Sequence, residues 1–125
     1  MESGYLSLDK LEAYRLARAL SKMTWGIYDK LSWQDKKIMG DQFVESTDST
    51  GGNIAEGYGR FHYLDKIKFY YNVRGSLLES RHWFELLDER GKLEKTDKHE
   101  YIDVYKKLRP VLNGLIRSAY KEKKS

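Results

Sequence analysis

The sequence predicts an all-α protein, an antiparallel up-and-down four-helix bundle that assembles into a homo-oligomer. Three observations carry this expectation. Apolar residues recur at steps of three and four in four successive segments, the period of one helix face. The breaks between segments are short, which favours antiparallel neighbours. A single proline, with 14% aromatic residues, suits long helices with broad contact surfaces.

The first segment runs from Leu8 to Leu31. Tyr14, Ala17, Leu20, Ser21, Thr24, Ile27, Tyr28 and Leu31 form its inward line, and Ser7 is placed to cap its free amides. Leu31-Ser32-Trp33-Gln34 connects it to a second segment, Asp35 to Tyr58. Here Ser46 to Gly52 has poor helix propensity and reads locally as a loop. Yet Gln42, Ser46, Ser49, Asn53 and Glu56 share one helical edge, with Gly52, Ala55 and Gly59 close by. That predicts a helix whose polar line is buried and hydrogen-bonded against a closely approaching neighbour.

Gly57-Tyr58-Gly59-Arg60 is a stop signal, because glycine tolerates a left-handed turn. The third segment, Leu64 to Glu89, stops at Gly91 and carries two apolar lines. One is Leu64, Ile67, Tyr71 and Leu78; the other is Phe69, Val73, Trp83 and Leu87, with Tyr70, Leu77 and Phe84 widening the first. A bundle helix needs one buried stripe, so the surplus face predicts a second copy of the chain as partner. The fourth segment opens at a capping box, Asp97-x-x-Glu100, and continues through Tyr101, Tyr105, Leu108, Leu112, Leu115 and Ala119. Pro110 lies inside it and predicts a kink, since it removes a backbone donor.

Composition bounds the function. The 125 residues suit one domain spanning 1–125. The absence of cysteine excludes disulfides, thiolate metal sites and cysteine nucleophiles. No apolar run approaches the roughly 18 residues of a membrane helix, and residues 1–10 lack the apolar centre of a secretory signal. A cytoplasmic protein without a membrane partner is expected. The net charge is +4, but 19 acidic residues are mixed among 23 basic ones, which permits an RNA partner without demanding one.

No catalytic constellation emerges. His62, His82 and His99 lie on different segments without ligand spacing, so no metal is expected. Glu56 and Glu79 are expected to face the bundle interior, held by hydrogen bonds or by an arginine such as Arg74 or Arg81. Arg74 and His82 are too far apart for the Arg-to-His pattern of HEPN-type ribonucleases. The glycine-rich stretches supply no P-loop lysine. No enzyme activity and no cofactor are expected. Arg15, Arg18 and Lys22 share a face of the first helix, and Arg117 and Lys121 lie along the last. These five are the candidate phosphate contacts, with Tyr14 and Tyr120 near enough to stack on unpaired bases.

Gly52-Asn53-Ile54-Ala55-Glu56-Gly57-Tyr58-Gly59-Arg60 resembles the NIAEGxGR signature of the bacterial four-helix-bundle proteins encoded in intervening sequences of large-subunit rRNA genes. Leu11 to Ala17, Lys68 to Tyr71, Gly75 to Glu79 and Leu112 to Ile116 resemble further segments of that family, in order. The resemblance implies a four-helix bundle assembled as a homopentamer. It also implies a relation to the basic accessory protein of diversity-generating retroelements, which binds RNA and a reverse transcriptase. Relatives commonly carry basic residues where this chain has Phe43-Val44-Glu45. The expected function is a non-enzymatic oligomeric scaffold, with RNA or ribonucleoprotein contacts through basic faces. The alternative is a protein–protein interaction module with no nucleic-acid partner.

Overall fold

A computed structural model describes residues 7–124. Helix α1 is Glu12–Lys30, preceded by a 3-10 turn at Leu8–Lys10. Helix α2 spans 33–58: it opens as Trp33–Asp35, widens into a π-helical stretch at Lys36–Gly40, and continues as Asp41–Tyr58. Helix α3 is Tyr63–Glu89, and α4 is Lys95–Lys121, followed by a 3-10 turn at Glu122–Lys124. Each helix packs on its sequence neighbour, and α1 also packs on α4, leaving α1 and α3 on a diagonal.

Neighbours run antiparallel. Thr24 of α1 meets Thr47 of α2, and a Cβ on Gly51 would touch Ala17. Thr47 meets Ser80 of α3, while Gly57 lies against Tyr70. Ser80 meets Tyr101 of α4, and Tyr71 meets Tyr120 near the opposite end. The four-helix bundle is therefore up-and-down, as its short connections dictate.

The core is filled from every helix by Ala17, Leu20, Phe43, Ile54, Val73, Phe84, Leu87, Tyr101, Leu108 and Leu112, all buried. Each large apolar side chain there contributes about 1.5–3 kcal/mol by leaving water. Phe84 and Tyr101 stack at 4.0 Å between centroids, and Phe43 tilts against Tyr101 at 5.7 Å. Buried hydroxyls of Thr24, Thr47, Ser80 and Tyr101 form one chain that touches all four helices. No buried side-chain nitrogen or oxygen among the described residues lacks a partner.

The stretch from Ser46 to Gly52 is helical despite its propensity. Ser46, Thr47 and Thr50 bond back to the carbonyls of Phe43 and Thr47. Small side chains here let α2 and α3 make the most extensive pairing in the bundle. The buried line is Phe43, Thr47, Thr50, Ile54 and Gly57, with Ser46 and Gly51 beside it. It is not the expected edge: Ser49 and Asn53 are half-buried, and Gln42 and Glu56 are exposed. Gly57 is the position where closeness is decisive, since a Cβ there would sit 2.7 Å from a Tyr70 ring carbon.

Several local expectations are corrected. The first helix begins four residues late, because Leu11 is extended; Ser7 heads the 3-10 turn and its side chain caps no amide. The first link is shorter than expected, because Ser32 accepts from the Asp35 amide and starts α2 at Trp33. Gly59 ends α2 in right-handed geometry, φ −79° and ψ −9°, so no left-handed turn occurs there. Gly91 does adopt one, φ 70°, and the bonds Gly91 N to Asp88 O and Lys92 N to Leu87 O close the end of α3. Asp97 lies inside the first turn of α4 and pairs with Lys30 instead of capping; Glu94 occupies the cap position and also binds Lys30. Helix α4 runs through Pro110, which is exposed.

The α3 surplus is real, but its distribution differs from expectation. Ile67, Tyr70, Val73, Leu77, Phe84 and Leu87 fill the core. Leu64, Tyr71 and Leu78, seven residues apart, form an exposed stripe.

Candidate nucleic-acid interface

Residues 15, 18, 22 and 25 follow helical steps of three and four, so the α1 periodicity that buries Ala17, Leu20 and Thr24 turns these four outward together. Arg15, Arg18, Lys22 and Trp25 line an open groove of about 570 Å³ between α1 and α2, with Ala19, Ser21 and Asp48. Trp25 is 57% exposed.

The groove continues along α2. Arg18, Ser21 and Asp48 also line its next section with Tyr14, Gly51, Gly52 and Ala55, and the last section ends at Glu56, Gly59 and Arg60. A Cβ added to Gly52 would meet nothing within 4 Å, so the α2 wall is low and open to solvent.

The side chains along this groove are partly ordered by one another. Arg18 donates to the Tyr14 hydroxyl at 2.9 Å, and its guanidinium lies 5.6 Å from that ring's centroid. Trp25 stacks on Tyr28 at 5.2 Å, which holds one indole face and leaves the other outward. Tyr28 in turn donates to Asp41, a hydrogen bond that raises its phenol above the ordinary range. Lys22 and Asp48 make no ion pair or side-chain hydrogen bond among the described residues. Three cations on one wall favour phosphate, and an aromatic face at the end of the row favours a base.

The sequence-predicted contacts are thus divided. Arg15, Arg18 and Lys22 share the groove, whereas Arg117 and Lys121 are exposed on α4, which contributes nothing to its walls. Tyr120 is not beside the α1 cations; its hydroxyl meets Tyr71 at 3.2 Å on the α3/α4 side. Sequence reasoning missed Trp25 and Asp48. The signal for Trp25 was present, since it extends the Arg15, Arg18, Lys22 row by one further step of three.

Glu56 and Glu79 do not face the interior. Glu56 is exposed and pairs with Arg60 at 2.9 Å, while Glu79 is exposed and accepts from Trp83 Nε1 at 3.3 Å. Neither of the expected arginines holds them: Arg81 pairs with Glu85, and Arg74 donates to Asn113. Both carboxylates lie on the solvated surface of the bundle. Among the described residues no cluster of three His, Asp or Glu could hold a metal ion, and no helix is long and apolar enough to cross a membrane.

The family profile described as 23S rRNA-intervening sequence protein matches residues 9–114. The chain belongs to this family. No curated protein matches the chain. The family match spans α1, α2, α3 and most of α4, so it includes the groove and Arg15, Arg18 and Lys22, while Arg117 and Lys121 lie beyond it.

Proposed function

We propose that this member of the 23S rRNA-intervening sequence protein family is a non-enzymatic, cytoplasmic, oligomeric scaffold that contacts RNA through basic faces. Arg15, Arg18 and Lys22 act as point charges or bidentate clamps on phosphates, and Arg117 and Lys121 form a separate set. The observation that carries this reading is the convergence of three cations and an exposed tryptophan on one open groove. No cofactor or metal takes part.

The experiment is binding of labelled RNA across a salt series. Each phosphate contacted by single-stranded RNA contributes a slope of about −0.7 in log affinity against log salt. Reversing Arg15, Arg18 and Lys22 to glutamate should flatten that slope by about 2. Absence of binding at low salt would overturn the RNA contact.

Assembly is the second part of the proposal. The stripe of Leu64, Tyr71 and Leu78 exposes apolar surface that a neighbouring copy would cover, and the pentamer implied by the family resemblance supplies such copies. Light scattering should give a mass well above twice 14.8 kDa. A stable monomer at micromolar concentration would overturn it. The same stripe favours one competing reading, a protein-interaction module without nucleic acid. Under that reading the α1 charge reversals leave every partner bound.

A further inference from the structure

We infer that the α1/α2 groove is a site for single-stranded RNA in which Trp25 stacks on an unpaired base and Asp48 accepts a hydrogen bond from a ribose 2′-hydroxyl. This rests on the RNA contact proposed above and names the form of RNA it takes.

Two features of the groove select the ligand. The first is Trp25, with one indole face on Tyr28 and the other turned outward at 57% exposure. In a duplex the bases are covered by their neighbours, so an indole face gains a partner only from an unpaired base. The second is Asp48. A carboxylate within a row of three cations opposes a bare polyanion, and it accepts hydrogen bonds without donating any. The ligand it suits therefore presents a donor between its phosphates. The ribose 2′-hydroxyl is such a donor, and DNA lacks it.

The geometry is consistent in length. Arg15 to Trp25 is ten residues of helix, about 15 Å, so phosphates on Arg15, Arg18 and Lys22 and a base on Trp25 lie along one strand direction. Asp48 stands on the α2 wall, where it shares both sections of the groove with Arg18 and Ser21.

The test uses the full chain carrying Trp33→Phe and Trp83→Phe, so that Trp25 is the only tryptophan. It is titrated with oligoadenylate as RNA, as DNA of the same length, and as RNA annealed to its complement, with a labelled-RNA anisotropy assay in parallel. The expected result is quenching by single-stranded RNA at an affinity several-fold above DNA, and little quenching by duplex. Trp25→Ala should weaken RNA about tenfold in the anisotropy assay. Asp48→Ala, which removes both the charge and the acceptor, should bring RNA and DNA affinities together, chiefly by tightening DNA. If Asp48→Ala tightens both equally, Asp48 only tempers the local charge and the ribose contact is overturned. If RNA binds by anisotropy without quenching Trp25, or duplex quenches as well as single strand, the stacking site is overturned while RNA contact stands. If anisotropy detects no RNA at low salt, both readings fall.

Discussion

Ser80 on α3 donates its hydroxyl proton to Thr47 on α2 across 2.6 Å, and the direction is fixed by what Thr47 does with its own. The Thr47 hydroxyl donates to the Phe43 carbonyl at 2.8 Å, so toward Ser80 it can only accept. Ser80, its proton committed, accepts from the Tyr101 hydroxyl at 2.7 Å. Thr24 donates to Thr47 at 3.4 Å, filling the second acceptor position on that oxygen. The chain therefore runs one way, from Tyr101 to a backbone carbonyl of α2.

That polarity makes the members unequal. Thr47→Val strands the protons of both Ser80 and Thr24 in the core and should cost about 2–6 kcal/mol, since each orphaned buried donor costs about 1–3. Tyr101→Phe removes a donor and strands only a lone pair on Ser80, costing about 1 kcal/mol. Urea denaturation of the two variants decides it. Equal losses would show that the direction assigned here is wrong.

Two glycines of α2 should respond oppositely to alanine. At Gly57 the new methyl would press on the buried Tyr70 ring at 2.7 Å, an overpacking cost of about 1–3 kcal/mol. At Gly52 it meets open space, and the gain in helix propensity is about 1 kcal/mol. Thermal melts should place Gly57→Ala below the parent and Gly52→Ala above it.

Two buried phenols should make stability fall at alkaline pH. Burial pushes Tyr101 and Tyr70 well above the ordinary value of 10.0. Above pH 10 these groups ionise in the unfolded chain but not in the folded one, so the unfolded state binds fewer protons and stability falls as pH rises. The loss approaches about 1.4 kcal/mol per pH unit for each phenol. Below pH 10 their contribution is fully present. A Tyr70→Phe, Tyr101→Phe double variant should show a much shallower decline between pH 10 and 12, read by denaturation midpoints. An unchanged slope would assign alkaline unfolding to other groups.

The exposed stripe separates assembly from folding. Leu64→Glu with Leu78→Glu should change unfolding free energy by no more than about 0.5 kcal/mol per site, because both side chains already face solvent. The same variant should lose the higher-mass species in light scattering. A variant that still assembles would move the interface elsewhere on the surface.

The bundle was legible because period and punctuation agree along most of the chain. Ala17, Leu20, Thr24 and Ile27, or Leu108, Leu112 and Ala119, are inward wherever helical spacing places them. Phase was harder wherever polarity ceased to report burial. In α2 the inward positions are filled by Thr47, Thr50 and Gly57, while exposed Gly52 and half-buried Ala55 are as small and uncharged, so composition does not distinguish the two faces. In α3, Leu64 and Leu78 look like core residues and are not, because a helix with surplus apolar surface has no polar edge to mark its orientation. At the candidate site the α1 row was readable as a face. The placement of Asp48 along the same groove was not, since it depends on the relative height of two helices.

The π-helical stretch at Lys36–Gly40 carries a consequence for how this chain tolerates change in length. A π turn closes its hydrogen bond over five residues where an α turn uses four, so it holds one residue more than regular helix requires. It lies at the start of α2, where a Cβ on Gly40 would crowd the Tyr28 ring at 2.9 Å and the two helices pass closely. Loss of one residue, Lys36 or Lys37, would let the turn relax to ordinary helix while Phe43 and everything after it stay in phase with the core. The extra residue is a reserve of slack in the chain: a one-residue deletion here would be absorbed, where the same deletion inside α3 or α4 would throw that helix out of register.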